Sequence, residues 1–355
     1  DGLGSPSRVL SRHFRVEVDA RHNMRRDATD RRIAAYLLSP RRGWRDLSTL
    51  AGWARGYDLV VNDSLHPALL LAPWVMPGLP VLQVYGENLR RAAEANLDGR
   101  VPRPLSVAYQ RLLTGAFDRS FGQIVHCVGA PLPPLGGPIR LPTLVPAFGD
   151  APREQGRVAV YLNPHFRDPR IAEAIERALP PGSRLYGVAE GYAGRTGWRA
   201  RDPALARVVA GADVFISGAG MGALELARST GTPLLCVLGA QPEQERNAEA
   251  ARRALPPGSF ATVSADEECL APKLAGLLPS LRRFAPPISA EAIGRAWREA
   301  FETLLHPTPK ETRHDAVDRV GAGNSQPERR RRRPARRGQP GAPARTSEEA
   351  GASAR

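Results

Sequence analysis

The sequence has 355 residues, of which 42% are hydrophobic, and this length suggests two domains of ordinary size. No apolar stretch approaches the roughly 20 residues needed to cross a bilayer, which argues against an integral membrane protein. The three cysteines, Cys127, Cys236 and Cys269, are spaced too widely for a disulfide framework or a metal site. The simplest expectation is therefore a reduced, cytoplasmic compartment.

The formal net charge of +14 is concentrated towards the end of the chain. In residues 307–355, twelve basic and six acidic residues give a net charge of +6, so residues 1–306 carry the remaining +8. This segment is poor in large apolar residues and is predicted to be a disordered, solvated tail. Nucleic-acid binding by its basic run, residues 329–333 together with Arg336 and Arg337, is an alternative that we do not favour. Peripheral attachment to the inner face of an anionic membrane is a further alternative.

Strands and helices are predicted to alternate in the first half of the chain. The expected strands cover residues 57–63, 79–85 and 122–128, and the expected helices cover residues 47–55 and 67–74. A proline-dense segment follows at residues 131–152 and is interpreted as an interdomain linker.

A second, more regular series begins after this segment. Its strands are predicted over residues 157–162, 183–188, 213–217 and 233–238, and its helices over residues 169–178, 204–210, 222–229 and 244–254. Regular alternation of short buried strands with helices predicts parallel sheets that are covered on both faces. The last helix, over residues 289–305, is amphipathic and is expected to pack across a domain surface.

The predicted fold class is therefore α/β, with two Rossmann-like domains. The predicted limits are residues 1–148 for the first domain, 149–288 for the second, 289–306 for a C-terminal helix and 307–355 for the tail.

A glycine-rich turn lies between the third strand and the third helix of the second series. Ligands of open α/β sheets bind at the carboxyl ends of strands, where glycine lets backbone N–H groups face an anion. The candidate phosphate-binding residues are Ser217, Gly218, Gly220, Met221 and Gly222. The alternative is that a tight turn needs these glycines only for packing.

Four polar side chains lie near this turn in the predicted topology. Glu225 falls in the first turns of the following helix, where a carboxylate suits two ribose hydroxyls or simply the helix dipole. Gln244 and Asn247 share one face of the next helix and carry groups suited to sugar hydroxyls, although polar helix residues are common. His165, after the first strand of this series, is a candidate contact for a diphosphate or a loop histidine without a chemical role.

Taken together, these motifs resemble the donor-binding half of the GT-B glycosyltransferases. The likeness covers residues 212–225, the Gly-Thr-Pro sequence at 231–233 and the Gln244–Asn247 pair. Among these enzymes, the arrangement of the motifs is similar to that of the family 28 group, which includes the lipid-II-forming N-acetylglucosaminyltransferase. The resemblance implies two domains facing across a cleft, with a nucleotide-diphosphate sugar such as a UDP-sugar as substrate and no separate cofactor. It also implies that the glycine turn holds the diphosphate, Glu225 the ribose, and the Gln244–Asn247 pair the sugar.

The first residues of the chain support the resemblance more weakly. Gly4, Ser5 and Arg8 lie in a stretch that looks like the first loop of this family, but Ser5 stands where the family usually has a histidine. No strand precedes this loop, so the sequence predicts a truncated start. Residues 58–63 are similar to the D-x-V-x-x-D strand of the family.

Transfer of a sugar to an acceptor hydroxyl needs a base for the acceptor proton and stabilisation of the leaving diphosphate. Asp63 is the first candidate base and His66 the second, because both follow a strand that ends at the predicted cleft. The alternatives are a helix cap for Asp63 and a surface or packing role for His66. The helix N-terminus after Gly222 would stabilise the diphosphate without a metal ion, and the absence of a D-x-D metal motif from the sequence agrees with this. The leading hypothesis is therefore a metal-independent transferase, which we expect to be inverting.

Two other functions fit the same motifs. A nucleotide-sugar hydrolase or epimerase would use the same donor pocket without an acceptor. A non-catalytic partner that only binds a nucleotide sugar is favoured by the serine at position 5 and the missing first strand. His126, Cys127 and the five tryptophans are expected to be packing residues.

Overall fold

The computed structural model describes residues 39–63, 67–89, 102–129, 138–164, 166–239 and 241–306. These residues form two parallel sheets within one compact unit that ends at His306. The predicted domain boundary at residue 148 falls between the two sheets, and the domain limits themselves stay a prediction. No helix within the described ranges is both long and apolar enough to cross a membrane.

The first sheet has four parallel strands in the order β1-β2-β3-β4. The strands are β1 (Val60–Asn62), β2 (Val81–Gly86), β3 (Gly122–Cys127) and β4 (Ile139–Pro142), and the helices are α1 (Pro40–Ala54), α2 (Pro67–Val75) and α3 (Arg103–Arg119). Val60 pairs with Val81, and Leu82 pairs with Gly122. Strands β1, β2 and β3 and helix α2 confirm the sequence predictions. Helix α1 begins seven residues earlier than predicted, at Pro40, because proline is well accepted in the first turn of a helix.

The interpretation of residues 131–152 as a linker is wrong for Ile139–Pro142, which form the strand β4. This short strand pairs with β3 along its whole length, with Ile124 opposite Ile139 and Cys127 opposite Pro142. A proline is tolerated there because β4 is the edge strand and Pro142 is its last residue, so the missing N–H interrupts no ladder. Helix α3 was not predicted either.

The second sheet has six parallel strands in the order β10-β9-β8-β5-β6-β7. The strands are β5 (Arg157–Tyr161), β6 (Arg184–Val188), β7 (Trp198–Arg199), β8 (Val214–Ser217), β9 (Leu234–Leu238) and β10 (Phe260–Ser264). The helices are α4 (Pro169–Ala178), α5 (Leu205–Gly211), α6 (Met221–Thr230), α7 (Pro242–Ala254) and α8 (Leu270–Leu277). The strand order is that of a doubly wound Rossmann sheet, which confirms the predicted fold class. Strands β7 and β10 and helix α8 were not predicted.

The last helix, α9 (Ala290–Leu305), returns to the first sheet after the second is complete. Ser289 caps it by accepting a hydrogen bond from the Ala292 N–H. Trp297 donates its indole N–H to the Pro142 carbonyl at 2.7 Å, and its ring lies edge-on to His126. The expectation that this helix packs across a domain surface is confirmed.

The tryptophans divide between the core and the surface. Trp198 and Trp297 are buried, as predicted. The packing prediction is wrong for Trp44, Trp53 and Trp74, whose exposed fractions are 61%, 41% and 42%. All three belong to α1 and α2 of the first sheet. Even so, the Trp74 ring is partly covered, since a guanidinium from α3 lies 3.8 Å from its centroid.

Candidate functional site

The second sheet has a topological switch point between β5 and β8. These two strands are neighbours, and the chain winds outwards from them in opposite directions, through β6 and β7 on one side and β9 and β10 on the other. Loops at the carboxyl ends of such a strand pair diverge and leave a crevice, which is where ligands of open parallel sheets bind. The loop after β5 contains His165, which lies outside the described residues, so its diphosphate contact stays a prediction.

The glycine turn, residues 217–222, follows β8 at this switch point. The Ser217 hydroxyl is buried and donates to the Tyr161 carbonyl at 2.7 Å, which ties the ends of β8 and β5 together. The Gly220 N–H then bonds back to the Gly218 carbonyl at 2.8 Å. Gly218 lies against the Phe166 ring, since a Cβ atom there would approach a ring carbon to 3.1 Å. The turn is therefore tight, and on its inner side it is held by the bond to Tyr161 and by contact with Phe166.

The outer side of the turn is open. Gly220 and Gly222 are exposed, and a Cβ atom built on either would meet no other atom within 4 Å. Gly220 is the N-cap of α6, no side chain caps this helix, and its first turn has no acidic residue. Helix N-termini carry unpaired N–H groups and about half a positive charge. The switch point therefore presents an uncapped helix N-terminus to open space, an arrangement suited to a phosphate group.

Glu225 lies on the enclosed side of α6. Its Oε1 accepts a hydrogen bond from Arg228 Nε at 2.8 Å, and both side chains are almost completely buried. Burial raises the pKa of Glu225 to about 7, although Arg228 and the Gly129 backbone favour the charged form. Since the structure encloses this carboxylate instead of exposing it, the ribose contact of Glu225 stays a prediction.

Gln244 and Asn247 lie beside the glycine turn, as predicted, but their polar atoms are used within the protein. Gln244 is 5% exposed, and its amide accepts from the Gly239 N–H and donates to Gln241. Asn247 is 2% exposed and donates to the Ala219 carbonyl at 3.0 Å. Both side chains hold strand-end turns in place, and their contacts with a sugar stay predictions.

The predicted catalytic residues are only partly described. Asp63 is exposed at the carboxyl end of β1. Its charge raises the pKa of His126, but burial of the imidazole has the larger effect and lowers that pKa. His66 and the N-terminal loop residues Gly4, Ser5 and Arg8 lie outside the described residues, so their roles stay predictions.

Two residues near the site were missed by the sequence analysis. Arg228 pairs with Glu225 and also donates to the Gly129 carbonyl after β3 at 2.8 Å. Its position three residues after a glutamate on a helix was a usable signal for an ion pair. Asn88, after β2, donates to Asn247 at 3.0 Å, and nothing in the local sequence indicates this contact.

The described residues contain no group of three or more His, Cys, Asp or Glu side chains placed to hold a metal ion. The metal independence of the reaction stays a prediction. All three cysteines are free thiols, and Cys127 and Cys236 are buried.

Comparison with known proteins gives matches among solved structures. No protein-family model and no curated protein matches the sequence. The calicheamicin glycosyltransferase CalG4 is 16% identical, with 83% of this chain and 82% of that chain covered and a TM-score of 0.45. The glycosyltransferase VinC, solved in complex with DTDP, is 20% identical over 73% of this chain and 74% of that chain, with a TM-score of 0.44.

A plant structure is similar to a comparable degree. UGT89C1 of Arabidopsis thaliana, complexed with UDP-L-rhamnose, is 14% identical over 78% of this chain and 75% of that chain, with a TM-score of 0.42. The chain is thus similar in structure to glycosyltransferases. The nearer resemblance to the lipid-II group stays a prediction.

Proposed function

We propose that this protein is a glycosyltransferase that binds a nucleotide-diphosphate sugar at the glycine turn and transfers the sugar to an acceptor hydroxyl. The observation that carries the proposal is the uncapped N-terminus of α6, which follows the glycine turn at the switch point and faces open space above Gly220 and Gly222. The Rossmann strand order supports it, because this topology places a ligand crevice there.

The chemistry follows from the same helix N-terminus. As the bond between the sugar and the diphosphate breaks, negative charge grows on the leaving phosphate oxygen. We expect the N–H groups of Met221, Gly222 and Ala223, in the first turn of α6, to stabilise that charge more than the charge of the bound donor, which would lower the barrier. Such fixed donors supply what a metal ion would otherwise supply, so the proposed transfer is metal-independent.

The proposed transfer is a single displacement with inversion. The acceptor oxygen attacks the anomeric carbon from the side opposite the diphosphate, and a base takes the acceptor proton. Asp63 is the proposed base, because its carboxylate is exposed at the carboxyl edge of the first sheet. His66 is the second candidate.

The polar side chains around the turn are proposed to hold the turn in place and not to contact the donor directly. Glu225, Gln244 and Asn247 all have hydrogen bonds within the protein, and direct contact with a ribose or sugar would require those bonds to be exchanged. Separating Glu225 from Arg228 would also leave the buried guanidinium of Arg228 without its side-chain partner, which costs several kcal/mol. The backbone of the glycine turn therefore makes the first contact with the donor.

Substitutions at Gly222 test the proposal directly. Asparagine and aspartate have the same shape, fit the open space, and differ by one negative charge. In calorimetric titrations with UDP, TDP and GDP sugars, we expect the wild type and Gly222→Asn to bind one of these nucleotide families and Gly222→Asp to lose that binding. An acid in the first turn of a helix is stabilising, so loss of binding without loss of stability would identify repulsion of the diphosphate.

Other outcomes would count against the proposal. Equal binding by all three proteins would place the donor elsewhere, and no binding of any nucleotide sugar by the wild type would overturn the transferase function. Release of nucleotide from the bound donor without an acceptor would identify a hydrolase instead.

A further inference from the structure

Side chains from both sheets meet at the glycine turn. Asn88 lies after β2 in the first sheet, and its Nδ2 donates to Asn247 Oδ1 at 3.0 Å. Asn247 belongs to α7 of the second sheet, and its own Nδ2 donates to the Ala219 carbonyl at 3.0 Å. Ala219 is fully buried inside the glycine turn. A continuous line of two hydrogen bonds, which we call the asparagine relay, thus connects the end of β2 to the turn.

The relay has a defined direction because an amide has one donor end and one acceptor end. Asn88 donates to the oxygen of Asn247, so the amide nitrogen of Asn247 is turned towards Ala219. Asn247 is 2% exposed, so no bulk water can replace a lost partner in the described structure. Removing Asn88 would leave the buried Oδ1 of Asn247 without this donor, so the orientation of the Asn247 amide, and with it the bond to the Ala219 carbonyl, would be less firmly fixed.

A second contact joins the same parts of the molecule. Arg228 of α6 donates from Nη2 to the Gly129 carbonyl after β3 at 2.8 Å, while its Nε is held by Glu225. Helix α6 is therefore anchored to the first sheet through β3, and the turn that precedes it is anchored through β2. Two anchors leave the turn little freedom to move relative to the strand ends of the first sheet.

We propose that Asn88 is a positioning residue, which acts through Asn247 to fix the glycine turn in the geometry that binds the donor diphosphate. This inference rests on the proposed function of the turn. The Asn88 side chain is linked to the turn through its hydrogen bond to Asn247, so its effect on donor affinity passes through the relay. The first sheet, which would hold the acceptor, then sets the affinity of the second sheet for the donor.

Hydrogen exchange of the ligand-free protein tests the relay without reference to any donor. We expect amides of residues 217–224 to exchange faster in Asn88→Ala than in the wild type, because the turn has lost a fixed contact. Gln123→Ala is the matched control, since Gln123 is also a partly buried amide of the first sheet but bonds to Tyr85 and Phe117. Unchanged exchange at the turn in a folded Asn88→Ala protein would overturn the inference.

Donor affinity supplies the second test, by titration with UDP and TDP. Loss of one positioning hydrogen bond is expected to weaken binding about fivefold to tenfold in Asn88→Ala and to leave Gln123→Ala unchanged. A double-mutant cycle with Asn247→Ala should show strong non-additivity, because both changes break the same relay. Additive effects, or equal affinity of Asn88→Ala and the wild type, would overturn the inference while the proposed function stands. Failure of the wild type to bind either nucleotide would overturn both.

Discussion

Replacing Glu225 with glutamine keeps the size of the side chain and removes a charge that the fold encloses. Burial raises the pKa of this carboxyl from 4.5 to about 7. Between these two pH values the folded protein keeps a proton that the unfolded chain releases, so the free energy of unfolding falls as the pH rises. At 1.36 kcal/mol for each pKa unit, the fall attributable to Glu225 is roughly 3 kcal/mol.

Urea unfolding at several pH values between 4.5 and 8 measures this effect. The quantity of interest is the free energy of unfolding of Glu225→Gln minus that of the wild type, because other titrating groups cancel. We expect this difference to change by about 3 kcal/mol in favour of the variant as the pH rises from 4.5 to 8. The same replacement at the exposed Glu299 of α9 is the control. A difference that does not vary with pH would refute the reasoning that burial outweighs Arg228, and a change of opposite sign would show that the ion pair dominates.

Two further predictions concern the framework around the site. Trp297→Phe removes the hydrogen bond to the Pro142 carbonyl but keeps an aromatic ring. We expect the free energy of unfolding in urea to fall by about 1–2 kcal/mol, and a fall below about 0.3 kcal/mol would contradict the packing of α9 described above. Gly231→Ala should cost at least about 2 kcal/mol, because φ is +65° there and a Cβ atom would collide with the Phe284 carbonyl. Gly222→Ala, which has open space, is the matched control and should leave thermal stability unchanged or slightly raised.

Elements with strong local signals were the ones that the sequence predicted well. Helix α4 was predicted with its exact limits, because Asp168 caps it and Pro169 occupies its first position. Strand β9 follows a proline and is a continuous apolar run, as expected for a strand buried on both faces. By contrast, β4 has four residues and ends in proline, and it exists only because β3 offers a partner. Pairing of that kind is not visible in a local pattern.

The same limit applied to the candidate site. The glycine turn was predicted correctly as a turn between a strand and a helix, since its residues are contiguous. The contacts that hold it join residues that are distant in sequence: Asn88 and Asn247 are 159 positions apart, and Gly129 and Arg228 are 99 positions apart. Glu225 was interpreted as a ribose ligand because a carboxylate in the first turns of this helix can reach the pocket beside the glycine turn, whereas the structure buries it against Arg228 and the Gly129 backbone. Burial of a single helix face depends on tertiary packing that one sequence does not reveal.

The central claim is that the backbone of the glycine turn binds the donor diphosphate. A crystal structure of the protein with UDP or TDP, whichever binds in calorimetry, tests it most directly. The claim predicts phosphate oxygens about 2.7–3.2 Å from the backbone nitrogens of residues 221–223, with Asn247 still bonded to Ala219. A nucleotide whose phosphates lie away from the N-terminus of α6 would contradict it.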